Sequence, residues 1–285
     1  MIKVGITGQS GFMGTHLYTY LGLKENIKRI PFKDEYFDND KTLQEFVTQC
    51  DVIIHLAAMN RHNDPEVIYN TNIALVKKLI KAIEETNSTP HVIFSSSTQE
   101  ERDNPYGKSK KEGRELFIKW AEKNNAVFTG FIIPNVFGPF GHPYYNSVVA
   151  TFCHQLTHNE RTRIDVDGQL KLIYINELIE EFYHAIQNKI NNHAYMVKHT
   201  SEKKVSKLLD LLTGFKELYF DKGIFPKLDD PFELSLFNTF VCYMNIKNYY
   251  PFKLKKNEDE RGIFVETVKL NGGGQISFSS TKSGI

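Results

Sequence analysis

Residues 1–21 limit the architecture of this chain more than any other stretch. Ile2-Lys-Val-Gly-Ile6 is an apolar strand, Thr7-Gly8-Gln9-Ser10-Gly11-Phe12-Met13-Gly14 a glycine-rich turn, and Thr15-His-Leu-Tyr-Thr-Tyr-Leu21 a helical run. In that order they form the opening of a nucleotide-binding βα unit. The glycines let backbone amides approach a pyrophosphate, and the helix start presents unpaired N–H groups at the positive end of its dipole. The spacing, Gly8-x-x-Gly11-x-x-Gly14, differs from the Gly-x-Gly-x-x-Gly of most dehydrogenases. A glycine-rich hairpin that holds no ligand is the plain alternative, and the flanking strand and helix argue against it.

Strands and helices alternate from there to about residue 190. Strands are predicted at 26–32, 51–58, 91–94 and 127–133, and helices at 41–49, 66–85 and 105–124. This rhythm predicts an α/β fold, a Rossmann-type doubly wound parallel sheet with helices on both faces. Ligands on such sheets bind at the carboxyl ends of the strands. The glycine turn, Leu56-Ala57-Ala58, the serines at 95–97 and Pro134-Asn135 all follow strand ends, so they should converge on one cleft. A net charge of +1 offers nothing to nucleic acid or to an anionic membrane surface. No apolar run reaches the length of a membrane span, and no signal peptide precedes the first strand. Cys50, Cys153 and Cys242 are scattered, without a Cys-x-x-Cys, and read as reduced thiols of a cytoplasmic protein.

Chemistry concentrates in Asn104-Pro-Tyr106-Gly-Lys-Ser-Lys110. On a helix, Tyr106 and Lys110 share one face a turn apart. An ammonium beside a phenol favours the phenolate, which suits the phenol to general acid–base work on a sugar or alcohol oxygen. Tyr-x-x-x-Lys also arises by chance on solvated helices. Here the surrounding motifs, in order and at strand ends, support the functional reading.

Together the residues resemble the extended short-chain dehydrogenase/reductases, the NAD-dependent epimerase/dehydratase family, that act on nucleotide sugars. The matching elements are Thr7-Gly-x-x-Gly-Phe-x-Gly14, Asp51-x-x-x-His-Leu-Ala-Ala58, Asn72, Phe94-Ser-Ser-Ser97, Tyr106-x-x-x-Lys110 and Pro134-Asn-Val-Phe-Gly138. Three further stretches are similar to a capsular-polysaccharide branch of that family: Asp103-Asn-Pro-Tyr-Gly107, Pro143-Tyr-Tyr-Asn-Ser-Val-Val-Ala-Thr-Phe152 and Asp259-Glu-Arg-Gly-Ile-Phe-Val-Glu266.

The resemblance implies reduction, with NADPH, of the C4 ketone of a UDP-linked 4-keto-6-deoxy-N-acetylhexosamine on the route to UDP-N-acetylfucosamine. It implies Tyr106 as the acid at C4 and Lys110 as its partner, bonded to the nicotinamide ribose. Ser97 would polarise the carbonyl, with Ser96 and Thr98 as fallbacks because the triple serine leaves the register open. A hydroxyl capping a loop is the other role for Ser97. The cofactor would lie on Gly8, Ser10, Gly11, Phe12, Met13, Gly14, Leu56, Ala57, Ala58, Asn72 and Pro134. Asn72 would hold a structural water or a backbone link, or be a plain helix asparagine. Asn60, Arg61 and Asn135 are candidates for the UDP-sugar, since a guanidinium fork suits a diphosphate; Arg61 also reads as a plain surface residue.

Cofactor selection should fall to the end of the second strand, where Lys33, Asp34 and Glu35 offer both signs. Lys33 is the better-placed cation for a 2′-phosphate, so NADPH is favoured over NAD. Two departures stand out. Ile132-Ile133 precede Pro134 where many members carry Arg, and Asn176 stands where Asp is usual. No adjacent Asp-Glu pair follows Ser97 or Thr98, which disfavours the dehydratase branch.

Residues 1–250 are expected to form the dinucleotide-binding domain, with a substrate-side region mainly at 139–250. Residues 251–285 read as two or three β-strands, which the resemblance makes the incomplete start of a cupin-like domain. The family's cupin histidines would lie beyond Ile285, so no metal site and no cupin epimerase activity are expected here. His154 and His158, at i and i+4, lack an evident third ligand. Unpaired strand edges in the tail would invite a homodimer. Two other readings stay open: a UDP-sugar 4-epimerase with tightly held NAD, and a non-catalytic NADP-binding regulator on the same fold.

Overall fold

The computed structural model describes residues 1–284 and divides into two compact units, Met1–Val136 with Lys171–Thr200, and Phe137–Leu170 with Ser201–Ile285. In chain order the elements are β1 (Ile2–Thr7), α1 (Phe12–Leu21), β2 (Ile27–Ile30), α2 (Asp40–Thr48), β3 (Val52–His55), α3 (Pro65–Glu85), β4 (His91–Ser97), α4 (Pro105–Asn124), β5 (Phe128–Ile133), β6 (Asn135–Phe137), α5 (Val148–Thr157), β7 (Gln169–Tyr174), α6 (Ile175–Asn188) and β8 (Asn192–Met196).

The first unit is built on a six-stranded sheet in the order β2-β1-β3-β4-β5-β8, every pairing parallel. Strands covered on both faces need apolar residues at every position, which is why Val52-Ile53-Ile54 and Val92-Ile93-Phe94 are continuous runs and fully buried. One face packs Leu17 and Leu21 of α1 and Leu178, Ile179 and Phe182 of α6 against Ile6, Ile54 and Phe131. The other packs Phe46 of α2, Val76, Leu79 and Ile83 of α3, and Phe117 and Trp120 of α4 against Ile53, Phe94 and Phe128. Truncating one such side chain, Phe117 for instance, would cost about 3–5 kcal/mol.

Strand order reverses between β1 and β3, the switch point at which such sheets open a crevice beyond their carboxyl ends. Caps set the two helices that matter most there. Asp64 accepts from the Glu66 amide ahead of Pro65 in α3, and Asn104 accepts from the Gly107 amide ahead of Pro105 in α4. Asn or Asp at the cap followed by Pro in the first turn is a strong start signal, and the sequence-predicted bounds of α4 match the observed ones.

The second unit holds helices at Val148–Thr157, Val205–Phe215 and Pro231–Val241. Its buried side chains include Phe152, Leu156, Leu208, Leu212, Phe215, Leu236 and Phe240. The tail forms three antiparallel strands, Lys256–Asp259, Gly262–Leu270 and Gln275–Thr281, with the short strand Ile224–Phe225 alongside Gly262–Leu270. No helix among the described residues is long and apolar enough to cross a membrane.

Candidate active site

The glycine turn lies at the carboxyl end of β1. Gly8 has φ +70°, and a Cβ on it would sit 2.7 Å from the Ala57 amide nitrogen, so only glycine lets the turn rest against the end of β3. Gly11 heads α1 with no side-chain cap, and the helix's first turn carries no acid. The amide end around Phe12 and Met13 therefore keeps its positive field for an anion from outside. This arrangement fits the diphosphate of a nicotinamide dinucleotide.

Two bonds tie the turn to the segment after β2. Gln9 Oε1 accepts from the Phe32 amide at 3.2 Å, and Ser10 Oγ donates to Asp34 Oδ2 at 2.9 Å. Lys33 is exposed and stands 3.4 Å from Glu35. Asp34 thus meets the turn, with Lys33 and Glu35 paired on either side of it in the chain.

At the ends of β1 and β3, Thr7 and His55 are register partners. Thr7 Oγ1 and His55 Nδ1 are 2.7 Å apart, fully buried. Burial, and then the charge of Lys110, press the His55 pKa down to about 3, so the ring is neutral. Beyond it Leu56 is buried, Ala57, Ala58 and Asn60 are half-buried and Arg61 is exposed.

The start of α4 is braced from α3. Buried Asn72 accepts from the Met59 amide at 2.7 Å and donates to the Met59 carbonyl and to Ser109 Oγ, each at 2.9 Å. Ser109 Oγ in turn donates to the Tyr106 carbonyl at 2.7 Å. Asn72 is thus engaged as a backbone link. Tyr106 itself is half-buried, in the first turn of α4, where the helix dipole favours negative charge.

Lys110 is 3% exposed, and its Nζ donates to the Ser95 carbonyl at 2.8 Å. The same Nζ lies 5.7 Å from the centre of the Tyr106 ring. Desolvation brings the Lys110 pKa down to about 7, while the charge of Glu100 acts to raise it. A lysine so placed titrates in the physiological range.

The three serines differ sharply. Ser95 is buried, with Oγ donating to the His55 carbonyl at 3.2 Å. Ser96 is buried and donates to Glu100. Ser97 is half-buried, and its Oγ accepts from the Gln99 amide at 3.2 Å, capping the short 3-10 turn Thr98–Glu101. An oxygen that accepts there still has its own proton to donate.

Pro134 is buried, and Asn135 is exposed with Nδ2 donating to the Lys171 carbonyl at 3.1 Å. The network therefore comprises two bonded chains, Asn72–Ser109–Tyr106 and Lys110–Ser95–His55, with Ser96 bonded to Glu100 and Ser97 to the Gln99 amide. Lys33 and Asn135 are tied to partners outside it. His154 and His158 stack at 4.0 Å, and no group of three or more His, Cys, Asp or Glu among the described residues is placed to hold a metal ion.

Sequence reasoning missed four parts of this network: the Thr7–His55 contact, the Ser109 link, Glu100 and Arg114. Ser109 was detectable as a small polar residue on the inner face of α4. Arg114 and Glu100 form a bidentate pair, with contacts of 2.9 and 2.7 Å, across a separation that no local pattern announces.

The chain is similar to known proteins in sequence and in fold. The model of the NAD dependent epimerase/dehydratase family matches residues 4–197. The chain is 29% identical to a UDP-2-acetamido-2,6-beta-L-arabino-hexul-4-ose reductase of Pseudomonas aeruginosa, over all of this chain and 76% of that protein. Its fold is similar to the capsular polysaccharide assembling protein CapF of Staphylococcus aureus, with TM-score 0.82, 30% identity, and coverage of 100% of this chain and 77% of the other. RMD of P. aeruginosa, solved in complex with NADPH, shares the fold at TM-score 0.68 and 19% identity, over 76% and 83% of the two chains. With the glycine turn, the parallel sheet and the Tyr106–Lys110 helix in place, the chain belongs to the NAD dependent epimerase/dehydratase family.

Proposed function

We propose that this protein reduces the C4 ketone of a UDP-linked 2-acetamido-2,6-dideoxy-4-hexulose with NADPH, supplying a precursor of surface polysaccharide. The observation that carries this reading is the half-buried Tyr106 in the first turn of α4, with the Lys110 ammonium behind its ring. The 29% identity to a UDP-sugar 4-ulose reductase supports the substrate class.

Bound nicotinamide would supply the hydride. The chain's own residues manage the oxygen. Ser97 Oγ donates to the C4 carbonyl oxygen and Tyr106 gives its phenolic proton to that oxygen as charge develops there. Lys110 stabilises the phenolate left behind and would hold the ribose of a bound cofactor. Burial of Ser95 and Ser96 in other bonds favours Ser97 as the reacting hydroxyl. Asn60, Arg61 and Asn135 lie on the two segments that would border the UDP-sugar. Glu100 is held by Arg114 and Ser96, which argues against its use as the base of a dehydration.

The test is NADPH oxidation by the purified chain, with the UDP-linked 4-keto-6-deoxy-N-acetylhexosamine offered before and after separate C3 epimerisation. Oxidation is expected with the epimerised sugar. None with either form, despite demonstrable NADPH binding, would refute the proposed substrate. Protein purifying with firmly bound NAD and interconverting UDP-hexoses would instead make it a 4-epimerase.

For the cofactor, we assign the 2′-phosphate to Lys33 and the ribose side to Asp34, which Ser10 holds. Lys33→Ala should raise KM for NADPH about tenfold, the loss of roughly one charge-assisted contact, and leave that for NADH nearly unchanged. Equal effects on both cofactors would remove Lys33 from this role.

A further inference from the structure

Behind the serine strand the protein buries an ion pair that takes no direct part in the proposed chemistry. Glu100, in the turn Thr98–Glu101, accepts from Arg114 twice, Nε to Oε1 at 2.9 Å and Nη2 to Oε2 at 2.7 Å. Their side chains are only 8% and 14% exposed. Arg114 also donates from Nη1 to the His193 carbonyl at 3.1 Å, and Ser96 Oγ donates to Glu100. Room for the arginine comes from Gly130 of β5, where a Cβ would lie 2.7 Å from Arg114 Cδ and 2.5 Å from the His193 carbonyl oxygen.

Packing alone does not call for this arrangement. Dehydrating two charges costs several kcal/mol each, and an apolar pair of equal volume serves stability as well or better. What the charges touch gives the reason. Ser96 lies between Ser95, whose carbonyl receives the Lys110 ammonium, and Ser97.

Other charged and titratable groups around Lys110 are otherwise engaged. His55 of β3 is neutral. Tyr69 of α3 is bonded to Glu112 of α4. Arg114 is paired with Glu100, and Glu101 is exposed. β4 presents only serines at this end, β5 carries no ionisable side chain, and Tyr106 is the phenol that Lys110 serves. Among these groups Glu100 alone acts to raise the pKa of Lys110.

We infer that Glu100, gripped by Arg114, is the positioning residue of this site: its carboxylate pins the serine segment through Ser96, and with it the neighbouring Ser95 carbonyl that receives Lys110. Where it concerns turnover, this rests on the reductase reading. The test reads Lys110 directly, by NMR titration of [13Cε]lysine-labelled free protein, with the resonance assigned from its loss in Lys110→Met.

Glu100→Gln should lower the Lys110 midpoint by about one pH unit, and the corresponding limb of the turnover–pH profile should move with it. Glu100→Asp, which keeps the charge, should leave the midpoint near that of the parent. Glu100→Gln/Arg114→Met, an uncharged pair of similar volume, should lower it by less than the single change, because the opposing charge of Arg114 leaves with the carboxylate, and serves if the single variant does not fold. An unmoved midpoint in whichever of the two uncharged variants folds overturns the inference. A shifted midpoint in a chain without turnover upholds it while sinking the reductase reading; turnover with an unmoved midpoint does the reverse.

Discussion

Replacing Tyr106 with Phe should lower turnover by about two to four orders of magnitude, the usual share of a positioned general acid, while NADPH binding changes little. The substitution is narrow by design. It keeps the ring over which Lys110 Nζ sits at 5.7 Å and removes only the hydroxyl. The first turn of α4 should hold without it, because Asn104 caps Gly107 and Ser109 grips the Tyr106 carbonyl. A fall in kcat with an unaltered cofactor KM would mean that the hydroxyl acts in the transition state, not in binding. On the barrier this corresponds to about 3–5 kcal/mol. Turnover within a factor of a few of the parent would sink the mechanism, since no other hydroxyl stands in line with Lys110 on that helix face. A variant that loses NADPH binding as well would point to damage at the helix start, which a melting curve separates from chemistry.

How much of this site could be read from residues alone depends on how locally each part is encoded. α4 was legible because its start is written in adjacent residues, Asn104 as cap and Pro105 in the first turn. The central strands were legible because burial on both faces demands unbroken apolar runs. The Tyr106–Lys110 pair follows from helical spacing, and the glycine turn from residues 8–14.

The serine register was not legible, because three identical side chains are told apart only by what they meet. Ser95 meets the His55 carbonyl, Ser96 meets Glu100, and Ser97 turns back on its own chain. Glu100 and Arg114 belong to different elements, so their pairing exists only after β4, the turn and α4 have packed. The helices Val205–Phe215 and Pro231–Val241 escaped notice for a different reason. Their apolar residues sit among polar stretches without the strand–helix alternation that marks the first unit, although Asp230-Pro231 repeats the cap-and-proline signal of α3.

Lys110→Met should abolish most turnover and, in the same protein, raise stability at neutral pH. The unfolded lysine has its ordinary pKa of 10.5, and burial lowers the folded value to about 7. Below about pH 7 both states carry the proton, and the full cost of the buried charge is present. Between there and 10.5 the unfolded chain binds more protons than the folded one, so stability rises with pH. Above 10.5 both are neutral and the cost is gone.

Methionine has similar length and no charge, so it removes that cost, on the order of several kcal/mol, against the loss of one hydrogen bond to the Ser95 carbonyl worth about 1.5–3 kcal/mol. The cofactor-free variant should therefore melt a few degrees above the parent at pH 6.5, with the difference shrinking and then reversing by pH 10. A difference that does not depend on pH would mean that Lys110 is not held as a buried titrating cation. The expected pattern is that of a residue kept for chemistry at the expense of the fold, and its removal should leave a sturdier protein with little turnover.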